Sequence, residues 1–143
     1  METDQGEAKK RPAWVWIISI FFFLSAVWSL LALYLVYSGI LPVSPEQTAY
    51  FKSLTPIDYS LTVLLLLTNL GGAVALFLLR SSALYFFVGA FILNVVMTIW
   101  HTLTKGWIAA IGGAGFLGML IAYGLIVAVC IYTLNLKKSG LLT

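Results

Sequence analysis

Two asparagines lie in the middle of long apolar runs, where a side chain that forms hydrogen bonds needs a partner. The stretch "LLLLTNLGG" at residues 64–72 holds Asn69, and "FILNVVM" at residues 91–97 holds Asn94. A carboxamide both donates and accepts hydrogen bonds, and away from water it must find its partners in the protein or in a ligand. The two amides therefore predict either a bond between helices or a binding site for a polar group.

The two asparagines are predicted to lie at one depth near the middle of a helical bundle. Asn69 comes about twelve residues before a short turn at Ser81 and Asn94 about thirteen after it, so their depths differ by only ~2 Å. Ser25 and Tyr123 fall at comparable heights in the neighbouring runs. We therefore expect a polar layer across the bundle, in which the two amides meet each other or meet Ser25 and Tyr123.

Steps of three and four residues extend each amide into a polar stripe along one helix face. The polar residues of the two stripes are Asp58, Thr62 and Asn69 on one helix and Asn94, Thr98 and His101 on the next. Asp58 and His101 end near the same interface, at depths that differ by ~4–5 Å. If the stripes face each other, an Asp–His pair caps the column.

Two interpretations of the stripes compete. In the first, amides and hydroxyls tie transmembrane helices together, at about 0.6–2 kcal/mol per bond. In the second, the stripes line a polar cavity that holds a small polar solute or a lipid headgroup. No acidic or basic residue falls near the middle of the runs, which argues against a proton- or ion-coupled pump.

Small residues recur every four positions in the last apolar run, at residues 107–134, and form what we call the small-residue ladder. Its members are Ala110, Ala114, Gly118 and Ala122. Small residues at this spacing let helix backbones approach closely. The ladder predicts either packing within one bundle or a docking face for another subunit.

The sequence offers no catalytic or metal-binding constellation. His101 is the only histidine and Cys130 the only cysteine, so the chain lacks the usual zinc ligands and an internal disulfide. The glycines of "IGGAGFLG" at residues 111–118 lie inside an apolar run and do not follow a strand, so they do not form a dinucleotide loop. We expect no enzymatic activity, no cofactor and no metal.

Composition places these residues in a membrane protein. The chain of 143 residues is 62% hydrophobic and 9% charged, with a mean hydropathy of +1.03, whereas soluble domains are about 25% charged. Four runs, at residues 14–38, 57–79, 83–103 and 107–134, each reach the ~20 residues that a membrane-spanning helix needs. The predicted fold is an all-α membrane protein, with one four-helix transmembrane bundle over residues 13–136.

The basic residues predict the orientation of this bundle. Six of the eight fall on one side: Lys9, Lys10, Arg11, Arg80, Lys137 and Lys138. Lys52 and Lys105 fall on the other. The positive-inside rule then places both termini in the cytoplasm, with a disordered tail at residues 1–12 and a short tail at 137–143. Because the basic residues sit at the ends of apolar runs and form no stripe, no nucleic-acid partner is expected.

The one long connection is predicted to hold a short helix. In "SPEQTAYFKSL", residues 44–54, Ser44 is a helix N-cap, Pro45 takes the first helical position and Gln47 completes a capping box. An apolar face follows from Tyr50 and Phe51, which predicts a helix on the outer membrane surface between the first two spanning helices. An irregular loop is the alternative.

Short motifs in the first three runs resemble a group of small bacterial inner-membrane proteins. The motifs are "PAWVWIISI" at 12–20, Trp28, "LTP" at 54–56, "GG" at 71–72 and "LLRSSALYFFVGAF" at 78–91. Members of that group are mostly uncharacterised four-helix proteins, and some carry a sugar transporter label. The turn at Ser81 and Ser82 departs from the more basic turns usual there. The resemblance implies this fold and a bacterial inner membrane, and it implies no mechanism.

Two functions are compatible with these features. The first is a membrane accessory or structural subunit that packs against a larger membrane complex or a second copy, motivated by the small-residue ladder and the small mass outside the membrane. The second is a transporter or binding protein for a small polar solute or lipid, using the polar stripes. Four helices are few for alternating access, so a transporter is expected to be a dimer.

Overall fold

The computed structural model describes residues 11–142, which form five α-helices and no β-strand. The helices are α1 (Ala13–Tyr37), α2 (Pro45–Ser53), α3 (Pro56–Phe77), α4 (Ser82–Lys105) and α5 (Trp107–Lys138). The four helices other than α2 are long and apolar enough to cross a membrane. The protein is therefore an all-helical, multi-pass membrane protein, as predicted. Most of the predicted disordered tail, residues 1–10, lies outside the described residues, as does Thr143.

The helices begin within one residue of their predicted starts, and three of them end two or more residues from their predicted ends. α4 continues to Lys105, past the predicted Leu103. α5 continues to Lys138 because its last turns still pack: Leu136 is buried, and Lys137 Nζ donates to Tyr85 Oη at 3.2 Å. α3 ends at Phe77, before the predicted Leu79. The hydropathy of the sequence marks the apolar runs, whereas local contacts decide where each helix stops.

The short helix α2 has the N-terminus that its sequence predicts. Ser44 Oγ accepts a bond from the Gln47 N–H at 3.2 Å, and the Ser44 N–H donates to Gln47 Oε1 at 3.1 Å. Pro45 takes the first helical position. The capping box is thus present, and α2 packs against α5.

The four long helices pack in the order α1, α3, α4, α5. α3 packs against both α1 and α4, and α5 packs against α4. Three large core side chains, those of Val15, Leu76 and Phe87, are each 0% exposed. They lie near what we call the terminal end of the bundle, which holds the start of α1, the α3–α4 turn and the end of α5. The opposite end, which carries α2, is called the loop end.

Two glycines allow α3 and α4 to approach closely. A Cβ atom on Gly72 would lie 3.0 Å from the Phe87 ring, and one on Gly71 would lie 3.1 Å from the Phe86 ring. The turn that follows places Leu79 in the left-handed region at φ 54°, where its backbone closes α3. Leu79 is buried in the core cluster, so side-chain packing offsets the strain that a left-handed leucine carries.

A break in α5 shapes the loop end. Gly112 has φ 63° and ψ −174°, a backbone conformation that glycine alone adopts readily. Just after it, a Cβ on Gly115 would lie 2.7 Å from Cβ of Ile111. The bend therefore depends on glycine at both positions. The glycines are visible in the sequence, but the hydropathy of the apolar run does not predict a break in the helix.

We expect Gly72→Leu to destabilise the fold by about 1–3 kcal/mol, because a side chain there overpacks against a Phe87 ring that is fully buried. Gly89→Leu is the matched control, since a Cβ on Gly89 meets no atom within 4 Å. Thermal unfolding of both variants in detergent micelles gives the comparison. Equal melting temperatures would contradict the close α3–α4 contact.

Candidate functional site

A cluster of polar side chains closes the loop end of the bundle. We call Tyr50, Thr55, Asp58, His101 and Lys105 the loop-end cluster. Asp58 is 3% exposed and His101 is 6% exposed. His101 Nε2 lies 3.1 Å from Asp58 Oδ1, and Lys105 forms an ion pair with Asp58 Oδ2. The Asp–His contact predicted from the stripes is therefore present.

The start of α3 fixes the carboxylate of Asp58 in place. Thr55 is the N-cap of α3, Pro56 takes the first helical position and Asp58 takes the third. The Thr55 N–H and O–H donate to Asp58 Oδ2 at 2.6 and 2.7 Å. This capping box could have been found from "TPID" at residues 55–58, because a threonine followed three residues later by an acidic residue is a helix-start signal.

Tyr50 joins α2 to the cluster. Tyr50 Oη lies 2.8 Å from His101 Nδ1. When the tyrosine O–H donates to Nδ1, a neutral His101 ring carries its proton on Nε2 and donates it to Asp58. Burial, and after it the carboxylate of Asp58, raises the pKa of Tyr50 to about 12. The hydroxyl therefore stays protonated and remains a donor over the physiological range.

The cluster is closed, which makes it a structural tie. Lys105 also donates to the Ser53 carbonyl at 2.9 Å, so Asp58 and Lys105 link the ends of α2, α3 and α4. The Tyr50 ring packs against Trp107 of α5 with centroids 4.9 Å apart. The polar groups of the cluster are engaged with one another, and this leaves little capacity for a ligand. Within residues 11–142, no group of three His, Cys, Asp or Glu side chains converges on a metal position.

A larger feature, which we call the polar cleft, lies among the four long helices. Its volume is about 560 Å³. Its polar lining residues are Ser25, Ser29, Asn69, Asn94, Thr98, Trp107 and Tyr123. The remaining lining residues are apolar or glycine, and no charged residue lines the cleft in the part of the chain that the structure describes.

The predicted stripes divide between the two features. Asp58 and His101 belong to the loop-end cluster, whereas Asn69, Asn94 and Thr98 line the polar cleft. Thr62, which was expected to continue the column, donates to the Asp58 carbonyl of its own helix at 2.9 Å.

The two central amides do not meet each other, contrary to one of our expectations. Asn69 Nδ2 donates to the Leu65 carbonyl of its own helix at 3.1 Å, and Asn69 Oδ1 is buried without a hydrogen-bond partner. The Asn94 side chain lines the cleft, and no hydrogen bond to it is present within residues 11–142. Equal depth was correctly taken as a condition for contact, but the rotation of each helix about its axis also decides it.

Tyr123 of α5 does form a hydrogen bond to the neighbouring helix α4 near the depth of the amides. Its O–H donates to Thr98 Oγ1 at 2.6 Å and lies 3.5 Å from the Asn94 carbonyl oxygen. A second polar tie, Ser19 Oγ to the Ala73 carbonyl at 3.2 Å, joins α1 to α3 nearer the terminal end. Hydroxyl groups, not the central amides, therefore form these bonds between helices.

The small-residue ladder contributes to the wall of the cleft. Gly118 and Ala122 line it, Ala110 is buried and Ala114 is exposed. A Cβ on Gly118 would meet no atom within 4 Å. Gly118 and Ala122 therefore leave open a space beside the amides that larger side chains would fill.

An apolar groove of about 320 Å³ continues from the polar cleft towards the terminal end. It is lined only by α1 and α5, from Trp14 and Ile17 on one side to Val129 and Tyr132 on the other. The cleft and the groove share three lining residues, Phe21, Phe22 and Leu125. The two spaces therefore adjoin, with polar groups in the loop-end half and apolar groups in the terminal half.

Sequence analysis missed several residues of these sites. Lys105 was used only to predict the orientation of the bundle, and Tyr50 only to predict a surface helix. Trp107 was not predicted to belong to a site, whereas it lines the cleft. No family model, no curated protein and no solved structure matches this chain. The function must therefore be argued from the sites themselves.

We expect Asp58→Asn to cost about 3–5 kcal/mol of unfolding free energy, because it leaves the largely buried ammonium of Lys105 without its counter-charge. The double variant Asp58→Asn/Lys105→Met should recover part of that loss. Lys52→Met, at an exposed position of α2, is the control. Chemical unfolding in micelles measures all three, and a single-variant loss no larger than that of the control would show that the ion pair contributes nothing.

The pKa of Tyr50 gives a further expectation, because a folded-state value of about 12 lies above the ordinary value of 10.0. The folded state holds this proton more tightly than the unfolded chain does. The resulting stabilisation is complete below pH 10.0 and is lost as the pH rises towards about 12. Tyrosinate absorbance should show a late ionisation step that disappears in Tyr50→Phe. Identical titrations of the two proteins would contradict this environment for Tyr50.

Proposed function

We propose that this protein binds an amphiphile from the membrane, with its polar group in the polar cleft and its apolar chain in the groove. The observation that carries the proposal is the adjoining pair of spaces. One contains amide and hydroxyl groups, the other is almost wholly apolar, and Phe21, Phe22 and Leu125 line both. A cavity that changes from polar to apolar along its length matches a molecule that does the same.

The state of the two amides supports a ligand over interhelical glue. A buried polar atom without a partner costs about 1–3 kcal/mol, and Asn69 Oδ1 is such an atom. Asn94 lines the cleft, and within residues 11–142 neither its amide donor nor its amide acceptor takes part in a hydrogen bond. A polar group in the cleft would engage Asn94 directly.

The packing of the helices supports entry from the side. α1 packs mainly on α3 and α5 packs mainly on α4, so the groove lies between the two helices that are furthest apart in the packing order. An apolar chain moving from the bilayer into the groove would exchange one apolar environment for another. Such an exchange has little opposing desolvation cost.

The membrane setting is also part of the proposal. We place both termini in the cytoplasm of a bacterial cell, with the protein in the inner membrane and the loop end outside. Six of the eight basic residues then lie on the cytoplasmic side. In this orientation α2 lies at the outer interface. A bound amphiphile would have the orientation of an outer-leaflet lipid, with its head towards the loop end.

An accessory or structural subunit is the second candidate function, and the same region favours it. Gly118 and Ala122 are small residues on the wall of the cleft. Small residues allow two helices to pack closely against each other. A helix of a larger complex or of a second copy would then occupy the space assigned above to a lipid. Both functions are non-enzymatic, and both require the cleft to be filled.

A photolabelling experiment tests the lipid assignment. The protein is placed in phosphatidylcholine vesicles with a monoacylglycerol that carries a diazirine in its acyl chain. We expect labels on groove residues such as Ala128 and Val129. Gly118→Phe should reduce this labelling several-fold, because its ring fills the cleft.

Gly124→Phe is the matched control. Gly124 lies on the same helix, a Cβ there also meets no atom within 4 Å, and it lines neither the cleft nor the groove. Its labelling should equal that of the unmodified protein. Labels spread evenly over the exposed apolar surface, or equal labelling in both variants, would refute the site. Protection of the groove by a co-purified subunit would establish the second candidate instead.

A further inference from the structure

We infer that the polar cleft selects an uncharged headgroup that both donates and accepts hydrogen bonds, such as the diol of a monoacylglycerol, and rejects phosphate and ammonium headgroups. The inference rests on the proposed function and specifies its ligand class. It follows from two independent features of the cleft: the absence of charge from its lining, and the hydrogen-bonding capacity of Asn94 and Thr98.

The lining residues of the cleft contain no group that would compensate a ligand charge. Within residues 11–142, no lining residue is Asp, Glu, Lys, Arg or His. The nearest described charges along α3 and α4 belong to the loop-end cluster, where Asp58 and Lys105 already pair with each other. A charged headgroup would therefore move from water into a cleft that offers it no counter-charge. This transfer costs far more free energy than the transfer of a hydroxyl group whose hydrogen bonds to water are replaced in the cleft.

The polar groups of the cleft match a neutral headgroup. Asn94 offers one amide oxygen and one amide nitrogen, neither of them hydrogen-bonded within the described residues. Thr98 Oγ1 accepts the proton of Tyr123 and so has its own hydroxyl proton to donate. A hydroxyl group can donate to the Asn94 oxygen while it accepts from the amide nitrogen or from Thr98. A phosphate offers acceptors alone, and an alkylammonium offers donors alone.

Competition against the diazirine monoacylglycerol tests this selectivity. The competitors share one acyl or alkyl chain length and differ in headgroup: unlabelled monoacylglycerol, an alkyl phosphate and a primary alkylamine. We expect the monoacylglycerol to compete at a concentration at least ~10-fold lower than either charged compound. Glycerol without a chain should not compete, whereas competition by glycerol at the same concentration would identify a soluble polyol as the ligand and overturn the lipid source.

Substitution of Asn94 tests whether its amide binds the headgroup. Asn94→Leu should weaken monoacylglycerol competition by roughly tenfold, because both hydrogen bonds are lost. Asn94→Asp should improve competition by the alkylamine, since the carboxylate supplies the missing counter-charge. The same two substitutions at Asn135, an exposed residue of α5 outside the cleft, are the matched controls and should change neither affinity.

The possible results separate this inference from the proposed function. Equal competition by the phosphate and the monoacylglycerol overturns the selectivity while the amphiphile site stands. Specific labelling that is unchanged in both Asn94 variants overturns the role of Asn94. Absence of specific groove labelling in the unmodified protein overturns the proposed function itself. Thermal unfolding of each variant, compared with its Asn135 counterpart, identifies any loss that comes from misfolding.

Discussion

The carboxylate of Asp58 is almost fully buried, and its need for partners organises the loop end of the protein. It receives bonds from Thr55 and His101 and pairs with Lys105, while His101 and Lys105 in turn reach Tyr50 and the Ser53 carbonyl. Loss of the carboxylate itself would leave the largely buried ammonium of Lys105 without its counter-charge. The short helix α2 is thereby fixed to the ends of α3 and α4.

The polar cleft follows the opposite pattern, because its amides lie in apolar surroundings with bonds unmade. The glycines of α5 are central to this difference. Gly112 breaks the helix, Gly115 admits the Ile111 side chain at the bend, and Gly118 leaves open space on the cleft wall. In the proposed function, the bonded loop end would hold the cleft in shape before binding, so a ligand would not have to organise the protein around itself.

Much of the fold could be predicted from the sequence because its signals are local. Apolar runs of sufficient length gave the four spanning helices, and Ser44 with Gln47 gave the start of α2. Residue counting from the α3–α4 turn also gave the contact between Asp58 and His101. Each of these rests on spacing within one segment or on two segments joined by a short turn.

The remaining features of the site depend on how whole helices are rotated and placed. Counting gave Asn69 and Asn94 the same depth, but depth does not determine the direction in which a side chain points. Lys105 reaches Asp58 only because the ends of α3 and α4 converge, and the break at Gly112 has no counterpart in the hydropathy of the run. The separation of α1 from α5 that creates the groove likewise has no signal in either segment alone.

Native mass spectrometry of the protein, released gently from its own membrane without overexpression, tests the central claim most directly. The account predicts a one-to-one complex with an uncharged amphiphile, present in Gly124→Phe and lost in Gly118→Phe. Release of the protein together with larger subunits at a fixed stoichiometry, with no lipid adduct, would contradict it and would assign the cleft to a protein partner.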